Sequence, residues 1–352
     1  MRRFVAAALA LSLLACSGAS SYPPRSTPVP PAQVTATPTP RPVAFPRDDA
    51  PHDALTEWWY YTGHLQTQAG GRYGFELVFF QSVRGTGPVG YAAHYAITDV
   101  PRGRFAFDQR TSLGSQIGST DGFDLHVAEW TMRGSNGHDA VAASMNGYAI
   151  DLKLDSEKPP ALHDRIGLIS FGPAGDSYYY SRTRLDASGT LTVDGTAIPV
   201  TGIAWFDHQW GNFFSAGGGW DWFAVQMDDR TELTGSVVRD DGGKPVLVYG
   251  TYVDASGRTT HLGPEEFAEE PLGSWTSPHT GATYPSGWRL RVPAPELDLE
   301  LRPVLSDQEL DTRPTTGVAY WEGAVDVVGT ARGRPLHGQG YVELTGYAAG
   351  AR

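Results

Sequence analysis

The chain has 352 residues, a formal net charge of −12, and an unusually large share of glycine and proline, with 42 Gly and 26 Pro. Its 27 Lys and Arg residues form no basic run, which argues against a nucleic-acid partner. The single cysteine, Cys16, lies near the amino terminus, so the sequence after it offers no disulfide, thiolate metal ligand or cysteine nucleophile.

The amino-terminal segment has the features of an export signal followed by a spacer. After a basic start, residues 4–15 form an apolar run that is too short to span a bilayer. The run ends in Leu-Leu-Ala-Cys, which resembles a bacterial lipobox. We therefore expect residues 1–16 to be a lipoprotein signal peptide whose Cys16 carries a lipid anchor to the membrane of the cell envelope. An ordinary secretory signal with an incidental cysteine is the alternative. Residues 17–46 are rich in Pro, Ser and Thr and are predicted to form an extended tether.

Beyond residue 46, alternating and aromatic runs separated by turn residues predict β-strands. The predicted strands are 57–61, 73–80, 91–98, 123–127, 140–145, 148–154, 178–185, 202–210, 246–253, 288–292, 297–301 and 318–328. No stretch of the sequence shows a sustained helical period. An all-β protein whose sheets close into barrels is therefore expected, because closure removes exposed strand edges.

A weak internal repeat predicts two similar halves. Residues 57–61 and 221–225 each open a half with an aromatic run that is followed by a hairpin. Residues 199–204 and 335–342 close the two halves with similar sequences, although coincidence among β-hairpins is the alternative explanation. The resulting predicted domains are residues 47–212 and 213–352.

Residues 202–211 hold the most informative pattern. As a strand, this segment directs alternate side chains to opposite faces. One face would carry Ala204, Phe206, His208 and Trp210, and the other Trp205, Asp207 and Gln209. His208 is then the one imidazole on an otherwise apolar face, and a barrel interior would provide such an environment. The matching end of the second half has no counterpart of His208. A functional His208 and a hydrogen-bonded core histidine are equally weighted alternatives, whereas Asp207 faces away and is expected to be structural.

Other polar residues interrupt apolar strands, and for them solvated faces or buried ion pairs are the favoured interpretation. These residues are Glu57, His94, Arg182, Asp228 and Glu322. The sequence has no Gly-x-Ser-x-Gly, no His-Glu-x-x-His, no phosphate-binding loop and no dinucleotide fingerprint. The ten histidines are scattered. We therefore expect neither a cofactor nor a metal ion.

Several motifs spread over nearly the whole folded part resemble those of one family, the AttH and carotenoid 1,2-hydratase family. The motifs are at 57–65, 178–182, 204–211, 219–224, 320–325 and 340–347. The resemblance implies two tandem lipocalin-like antiparallel β-barrels around an apolar interior, and a hydrophobic small molecule as the partner. It also implies addition of water across a terminal C=C bond without a cofactor.

That reaction needs a carboxylic acid kept protonated by burial, aromatic faces that stabilise a cation, and a polar group that holds water. In the related hydratases, as the resemblance implies, a His-x-Trp pattern precedes a Tyr-x-Asp pattern. His208 and Trp210 match the first, whereas Asp228 follows Gln226 where the family has Tyr. His208, with Asp228 or Asp207 as the acid, is therefore the expected catalytic set. The residues expected to contact the substrate are Trp58, Tyr60, Tyr180, Trp210 and Trp222.

Three functions follow from these observations. The first is a cofactor-free lyase that hydrates an isoprenoid- or carotenoid-like substrate at the cell envelope. The second is a non-catalytic carrier of a hydrophobic ligand, in which His208 only shapes the pocket. The third and weakest is a secreted hydrolase, because members of the family often bear that label although the sequence shows no nucleophile motif.

Overall fold

The computed structural model describes residues 41–119, 121–213 and 218–348. Cys16, the predicted signal peptide and most of the predicted tether lie outside these residues. Strands make up 62% of the described residues and helices 4%, which confirms the predicted all-β class. Among the described residues, no helix has the length and apolar character needed to cross a lipid bilayer.

The first sheet has twelve antiparallel strands and is nearly closed into a barrel. Its strands are β1 (Thr56–Thr67), β2 (Arg72–Ser82), β3 (Gly90–Asp99), β4 (Arg104–Leu113), β5 (Phe123–Val127), β6 (Trp130–Ser135), β7 (His138–Met145), β8 (Tyr148–Ser156), β9 (Ala161–Leu162), β10 (Leu168–Ser170), β11 (Asp176–Val193) and β12 (Thr196–Gly211). The main path runs β4-β3-β2-β1-β12-β11-β8-β7-β6-β5, and β9 and β10 both pair with β11. The first and last long strands, β1 and β12, therefore lie side by side.

The second sheet has ten strands in the order β16-β15-β14-β13-β24-β23-β21-β20-β17, with β22 paired to β23. The remaining strands of the chain are β13 (Trp220–Met227), β14 (Glu232–Arg239), β15 (Pro245–Val253), β16 (Thr259–Leu262), β17 (Ala268–Pro271), β18 (Ser274–Thr276), β19 (Thr283–Pro285), β20 (Trp288–Val292), β21 (Leu297–Pro303), β22 (Glu309–Asp311), β23 (Ala319–Ala331) and β24 (Arg334–Leu344). Strands β18 and β19 form a separate hairpin. The two main sheets confirm tandem lipocalin-like barrels.

Within the described residues, helical structure is confined to single turns before and between the strands. The turns are α1 (Asp164–Gly167) and the three 3-10 segments Arg47–Asp49, Val100–Arg102 and Gly172–Ala174. The chain passes from the first sheet to the second between Gly211 and Trp220. The division into domains at residues 47–212 and 213–352 stays a prediction.

Each barrel has its own apolar core, which follows from the alternation of side chains along its strands. Trp59, Phe206 and Trp130 are among the buried side chains of the first core. Trp288 and Val342 belong to the second. Large aromatic side chains thus fill the space around both barrel axes.

A third apolar cluster lies between the two sheets. It combines Tyr60 and Trp205 of the first sheet with Trp222 and Tyr341 of the second, all of them buried. These side chains belong to the faces that point away from the barrel interiors. The outer faces of β1 and β12 are therefore covered by β13 and β24 rather than by solvent.

A buried charge cluster also joins the sheets. Glu232 of β14 accepts a hydrogen bond from Lys158 Nζ at 2.7 Å and from Arg184 Nε at 2.6 Å. Lys158 follows β8 and Arg184 lies in β11, so both cations come from the first sheet. All three side chains are less than a tenth exposed. Burial of one anion with two cations is energetically acceptable only while all three charged groups are present.

Replacing Glu232 by Ala is expected to lower the free energy of unfolding by about 3–5 kcal/mol, because it leaves two buried cations without their counter-ion. Urea denaturation of the purified protein measures this loss. The control is Glu270→Ala, which breaks the exposed ion pair with Arg291. It is expected to change stability by less than about 1 kcal/mol. Equal effects of the two substitutions would contradict a role for Glu232 in joining the sheets.

Candidate functional site

A cavity of about 980 Å³ lies between the two sheets. Most of its lining comes from outward-facing side chains of β1, β2, β3, β12, β13 and β24. Its aromatic lining includes Trp58, Tyr60, Phe80, Tyr179, Trp220, Trp222 and Tyr249. The sequence predicts an apolar cavity inside a barrel. The structure instead has this cavity at the seam, which is the contact region between the two barrels. Bulky side chains fill the interior of the first barrel around His208.

Strand alternation explains which predicted residues reach the cavity. On β1, Trp58 and Tyr60 face the seam, whereas Trp59 between them faces the first barrel. On β13, Trp222 faces the seam and Phe223 faces the second barrel. Three of the five residues expected to contact a substrate, Trp58, Tyr60 and Trp222, therefore line the cavity.

Glu343 on β24 is the most distinctive polar group of the cavity. Trp220 Nε1 donates a hydrogen bond to Glu343 Oε2 at 2.9 Å, and the carboxyl group keeps accessible surface within the lining. Burial, together with the negative charge of Asp207, raises its pKa to about 7 against the opposing effect of the Trp220 hydrogen bond. A carboxylic acid with this pKa is able to donate a proton near neutral pH. Glu343 lies in the motif 340–347 that carries the family resemblance, but no sequence pattern predicts it as a site residue.

Asp207 on β12 lines the same cavity and is held by three donors. Its carboxylate accepts hydrogen bonds from the Tyr179 hydroxyl at 2.5 Å, from Trp205 Nε1 at 2.7 Å and from the Ser181 hydroxyl. Burial raises its pKa to about 6, while the three donors oppose that rise. As expected, Asp207 faces away from His208, and that face is the seam. Trp222 Nε1 in turn donates to the Tyr179 hydroxyl at 3.1 Å, so the network spans both sheets.

The Ser181 hydroxyl also meets a histidine, yet the arrangement is not that of a hydrolase. His163 Nε2 lies 2.7 Å from Ser181 Oγ, and its Nδ1 lies 2.9 Å from Thr251 Oγ1. In a Ser-His-Asp triad the aspartate orients the histidine. Here Asp207 instead contacts the serine directly, and both Ser181 and His163 are fully buried. A substrate carbonyl has no approach to this hydroxyl.

Two further carboxyl groups form reciprocal pairs across the seam. The Tyr320 hydroxyl of the second sheet donates to Glu76 Oε1 at 2.9 Å, and the Tyr60 hydroxyl of the first donates to Glu322 Oε1 at 2.7 Å. The Oε2 atoms of both glutamates are buried without a hydrogen-bond partner among the described residues. Burial raises the pKa of Glu76 to about 8 and that of Glu322 well above its usual range. Burial therefore favours the protonated form of both carboxyl groups, which keeps this side of the seam less polar.

His208 is fully buried inside the first barrel and does not line the cavity. Its Nε2 lies 2.8 Å from Glu57 Oε1, and its Nδ1 lies 3.3 Å from the Tyr180 hydroxyl oxygen. Burial lowers its pKa. Trp210 and Tyr180 pack on the same side of β12 and β11 as His208. These three predicted site residues form one group, separated from the cavity by the thickness of the sheet.

The structure also places Asp228 away from the cavity. Strand β13 ends at Met227, and Asp228 lies in the exposed turn that leads to β14. Exposure offers no desolvation to keep a carboxylic acid protonated. The expectation that Asp228 acts as the buried acid is therefore corrected, and Glu343, 115 residues later in the chain, has the required surroundings.

Comparison with known proteins agrees with this architecture. The sequence profile of the AttH-like family matches residues 36–347. The crystal structure of a protein from Nitrosomonas europaea assigned as AttH is similar, with 33% sequence identity over 88% of this chain and 98% of that chain and a TM-score of 0.79. Among proteins of curated function, none matches the chain significantly by sequence.

More distant solved structures share the fold alone. Kievitone hydratase from Nectria haematococca is 18% identical in sequence, and its alignment covers 86% of this chain and 93% of the hydratase chain with a TM-score of 0.70. CghA has 14% identity, with 85% and 90% of the two chains covered and a TM-score of 0.59. The tandem-barrel architecture is therefore retained at low sequence identity.

Replacing Glu343 by Gln is expected to alter the pH dependence of stability. The pKa of Glu343 is higher in the folded chain than its ordinary 4.5, so wild-type stability falls as pH rises from about 4.5 through 7. The variant lacks this loss and gains at most about 3 kcal/mol relative to wild type between pH 5 and pH 8. Urea denaturation at both pH values measures the difference. Glu265→Gln, at an exposed position, is the control and should keep the wild-type profile.

Proposed function

The chain belongs to the AttH-like family, and on that basis we propose that it is a cofactor-free hydratase. Its substrate is an apolar molecule of the isoprenoid or carotenoid kind, and the reaction adds water across a C=C bond in the cavity between the sheets. One observation carries the proposal: Glu343, with a pKa raised to about 7, lies in an aromatic cavity of about 980 Å³. Sites of this size and lining are typical of small-molecule binding.

The apolar character of the substrate follows from the lining. Trp58, Phe80 and Trp222 present aromatic faces, and burial favours the protonated form of Glu76. A charged ligand would leave water without compensation in such a cavity, whereas an unsaturated hydrocarbon chain would gain free energy on burial. One protein with the same fold is named a hydratase, which supports the reaction class.

The reaction begins with proton transfer from the Glu343 carboxyl group to one carbon of the double bond. The other carbon becomes a carbocation, which the π-faces of Trp58 and Trp222 stabilise together with the negative charge of Asp207. Three hydrogen-bond donors keep Asp207 in its ionised form. Water then bonds to the cation and loses a proton to the Glu343 carboxylate. The acid is thereby regenerated, and the net change is alkene plus water to alcohol.

A second candidate is non-catalytic carriage of a hydrophobic ligand. The aromatic lining alone is sufficient to bind an apolar molecule, with no role for proton transfer. The hydrolase function receives no support, because Ser181 is buried between His163 and Asp207. Carriage and hydration share the cavity, and they differ only in whether Glu343 is needed.

Replacing Glu343 by Gln is expected to lower the hydration rate at least about 100-fold, because the amide has no acidic proton to donate. The substrate probe is an acyclic polyene such as lycopene, and the readout is incorporation of ¹⁸O from labelled water by mass spectrometry. Ligand binding, followed by quenching of tryptophan fluorescence, should stay within about two-fold, since Gln is isosteric with Glu. Asp228→Asn in the exposed turn is the matched control and should leave turnover unchanged.

The outcomes separate the two candidates. Wild-type turnover that survives in Glu343→Gln would show that another group supplies the proton. Binding of the polyene without any incorporation of ¹⁸O by the wild-type chain would favour carriage. Absence of both binding and turnover would contradict an apolar polyene as the ligand.

We further propose that the chain is anchored at the cell envelope through Cys16, as its lipobox-like sequence suggests. Expression of the full chain in a bacterial host should place it in the membrane fraction. Cys16→Ser should move it to the soluble fraction, because the lipid attachment atom is lost. Membrane association that is unchanged in Cys16→Ser would contradict the anchor.

A further inference from the structure

Three side chains with metal-binding atoms meet in the first barrel, on the side of β1 and β12 that faces away from the cavity. Glu57 Oε1 lies 2.7 Å from His52 Nδ1 and 2.8 Å from His208 Nε2. The three ligand atoms all lie within 4.8 Å of one another. Two imidazole nitrogens and one glutamate oxygen are the protein ligands of several zinc enzymes.

Strand pairing and stacking fix these side chains in position. Glu57 pairs with Trp210 across the β1–β12 ladder, and Trp59 pairs with His208, so both ligands point into the barrel. His52 precedes β1, and its ring stacks on Trp210 with centroids 4.1 Å apart. A metal ion would therefore find its ligands already oriented, which lowers the entropic cost of binding.

The second nitrogen of each imidazole ring faces an oxygen atom that accepts a hydrogen bond. His52 Nε2 lies 3.4 Å from the carboxylate of Asp48. His208 Nδ1 lies 3.3 Å from the hydroxyl oxygen of Tyr180, and that hydroxyl donates its own hydrogen to Asp49 at 2.5 Å. Metal-binding histidines typically donate their other ring N–H to an acceptor of this kind.

With the ring protons on the nitrogens that face Asp48 and Tyr180, His52 Nδ1 and His208 Nε2 would direct their lone pairs toward the same carboxylate oxygen, Glu57 Oε1. That orientation of the two rings is the one that a cation held between the three atoms requires.

We propose that His52, Glu57 and His208 form a binding site for a divalent transition-metal ion, with zinc as the best match to the ligands. One cation can bind all three ligand atoms at once, because they lie within 4.8 Å of one another. Ligands 2.0–2.1 Å from a tetrahedral zinc ion stand about 3.3 Å apart, so the present contacts need to open by about 0.5 Å. The His52 side chain is 14% exposed and gives the ion a route of entry.

The site would attach the segment before β1 to the first barrel, independently of the proposed hydratase reaction. It also lies next to the cavity through one side chain. Gln81 Nε2 donates to Glu57 Oε2 at 2.9 Å and to the His52 carbonyl oxygen at 2.8 Å, and Gln81 borders the cavity. Occupancy of the site would therefore fix one part of the cavity wall.

The test uses the full chain after removal of metals with a chelator, and Co²⁺ and Zn²⁺ as separate probes. The expected result is uptake of one equivalent of Co²⁺ with visible d–d absorption, and its displacement by Zn²⁺. His52→Ala is expected to weaken Zn²⁺ affinity at least about 100-fold through loss of a ligand. Asp48→Asn is expected to weaken it about 10-fold, because an amide oxygen is a weaker acceptor for the His52 ring N–H than a carboxylate. His126→Ala, at an exposed histidine, is the control and should bind as wild type does.

His52 is only partly buried and precedes the first strand, so His52→Ala is expected to fold, which far-UV circular dichroism checks. His52→Gln serves as a second variant that keeps much of the side-chain volume. Absence of stoichiometric Co²⁺ uptake by the wild-type chain would overturn the site, and so would equal uptake by both His52 variants. None of these readouts depends on turnover, so this test and the test of Glu343 can fail separately.

Discussion

The carboxyl groups buried between the two sheets each need either hydrogen-bond donors or a proton, and this requirement shapes the rest of the structure. A buried carboxylate keeps its charge only when donors surround it, and otherwise it takes up a proton. Asp207 has three donors, whereas Glu76 and Glu322 each keep one oxygen without a partner among the described residues. Glu343 also has one donor, but its side chain is only partly buried and lines the cavity. Burial raises its pKa to about 7, which suits proton exchange near neutral pH.

The seam, and not a barrel axis, provides these surroundings because of how the two barrels are filled. Trp59 and Phe206 pack the first interior, and Trp288 packs the second, as close packing of a core requires. The outer faces of β1 and β13 are also aromatic, but they belong to two curved sheets, and the contact between them leaves a hollow. The seam therefore provides a cavity that neither barrel contains alone.

Local pattern is sufficient to predict twelve of the 24 strands and their faces but not the contacts between sheets. Alternation placed Asp207 and His208 on opposite faces of β12, as observed. Strand β4 was missed because its residues are nearly all half-buried, which removes the alternating signal. Glu343 is not predicted because its hydrogen-bond donor Trp220, on the adjacent strand β13 of the same sheet, is 123 residues away in sequence. His52 lies in a loop without any period, so no sequence pattern links it to His208.

The paired strands β1 and β12 bring the cavity and the proposed metal site close together, one on each face of the sheet. Successive side chains on a strand point to opposite faces, so Glu57 and Trp58, or Asp207 and His208, are adjacent in sequence yet lie in separate environments. A substitution at one of these positions therefore shifts the backbone that supports the other environment. For this reason the acid function is best probed at Glu343, on β24, and the metal site at His52, before β1. Neither residue lies on β12, the strand whose two faces contribute to the cavity and to the proposed metal site.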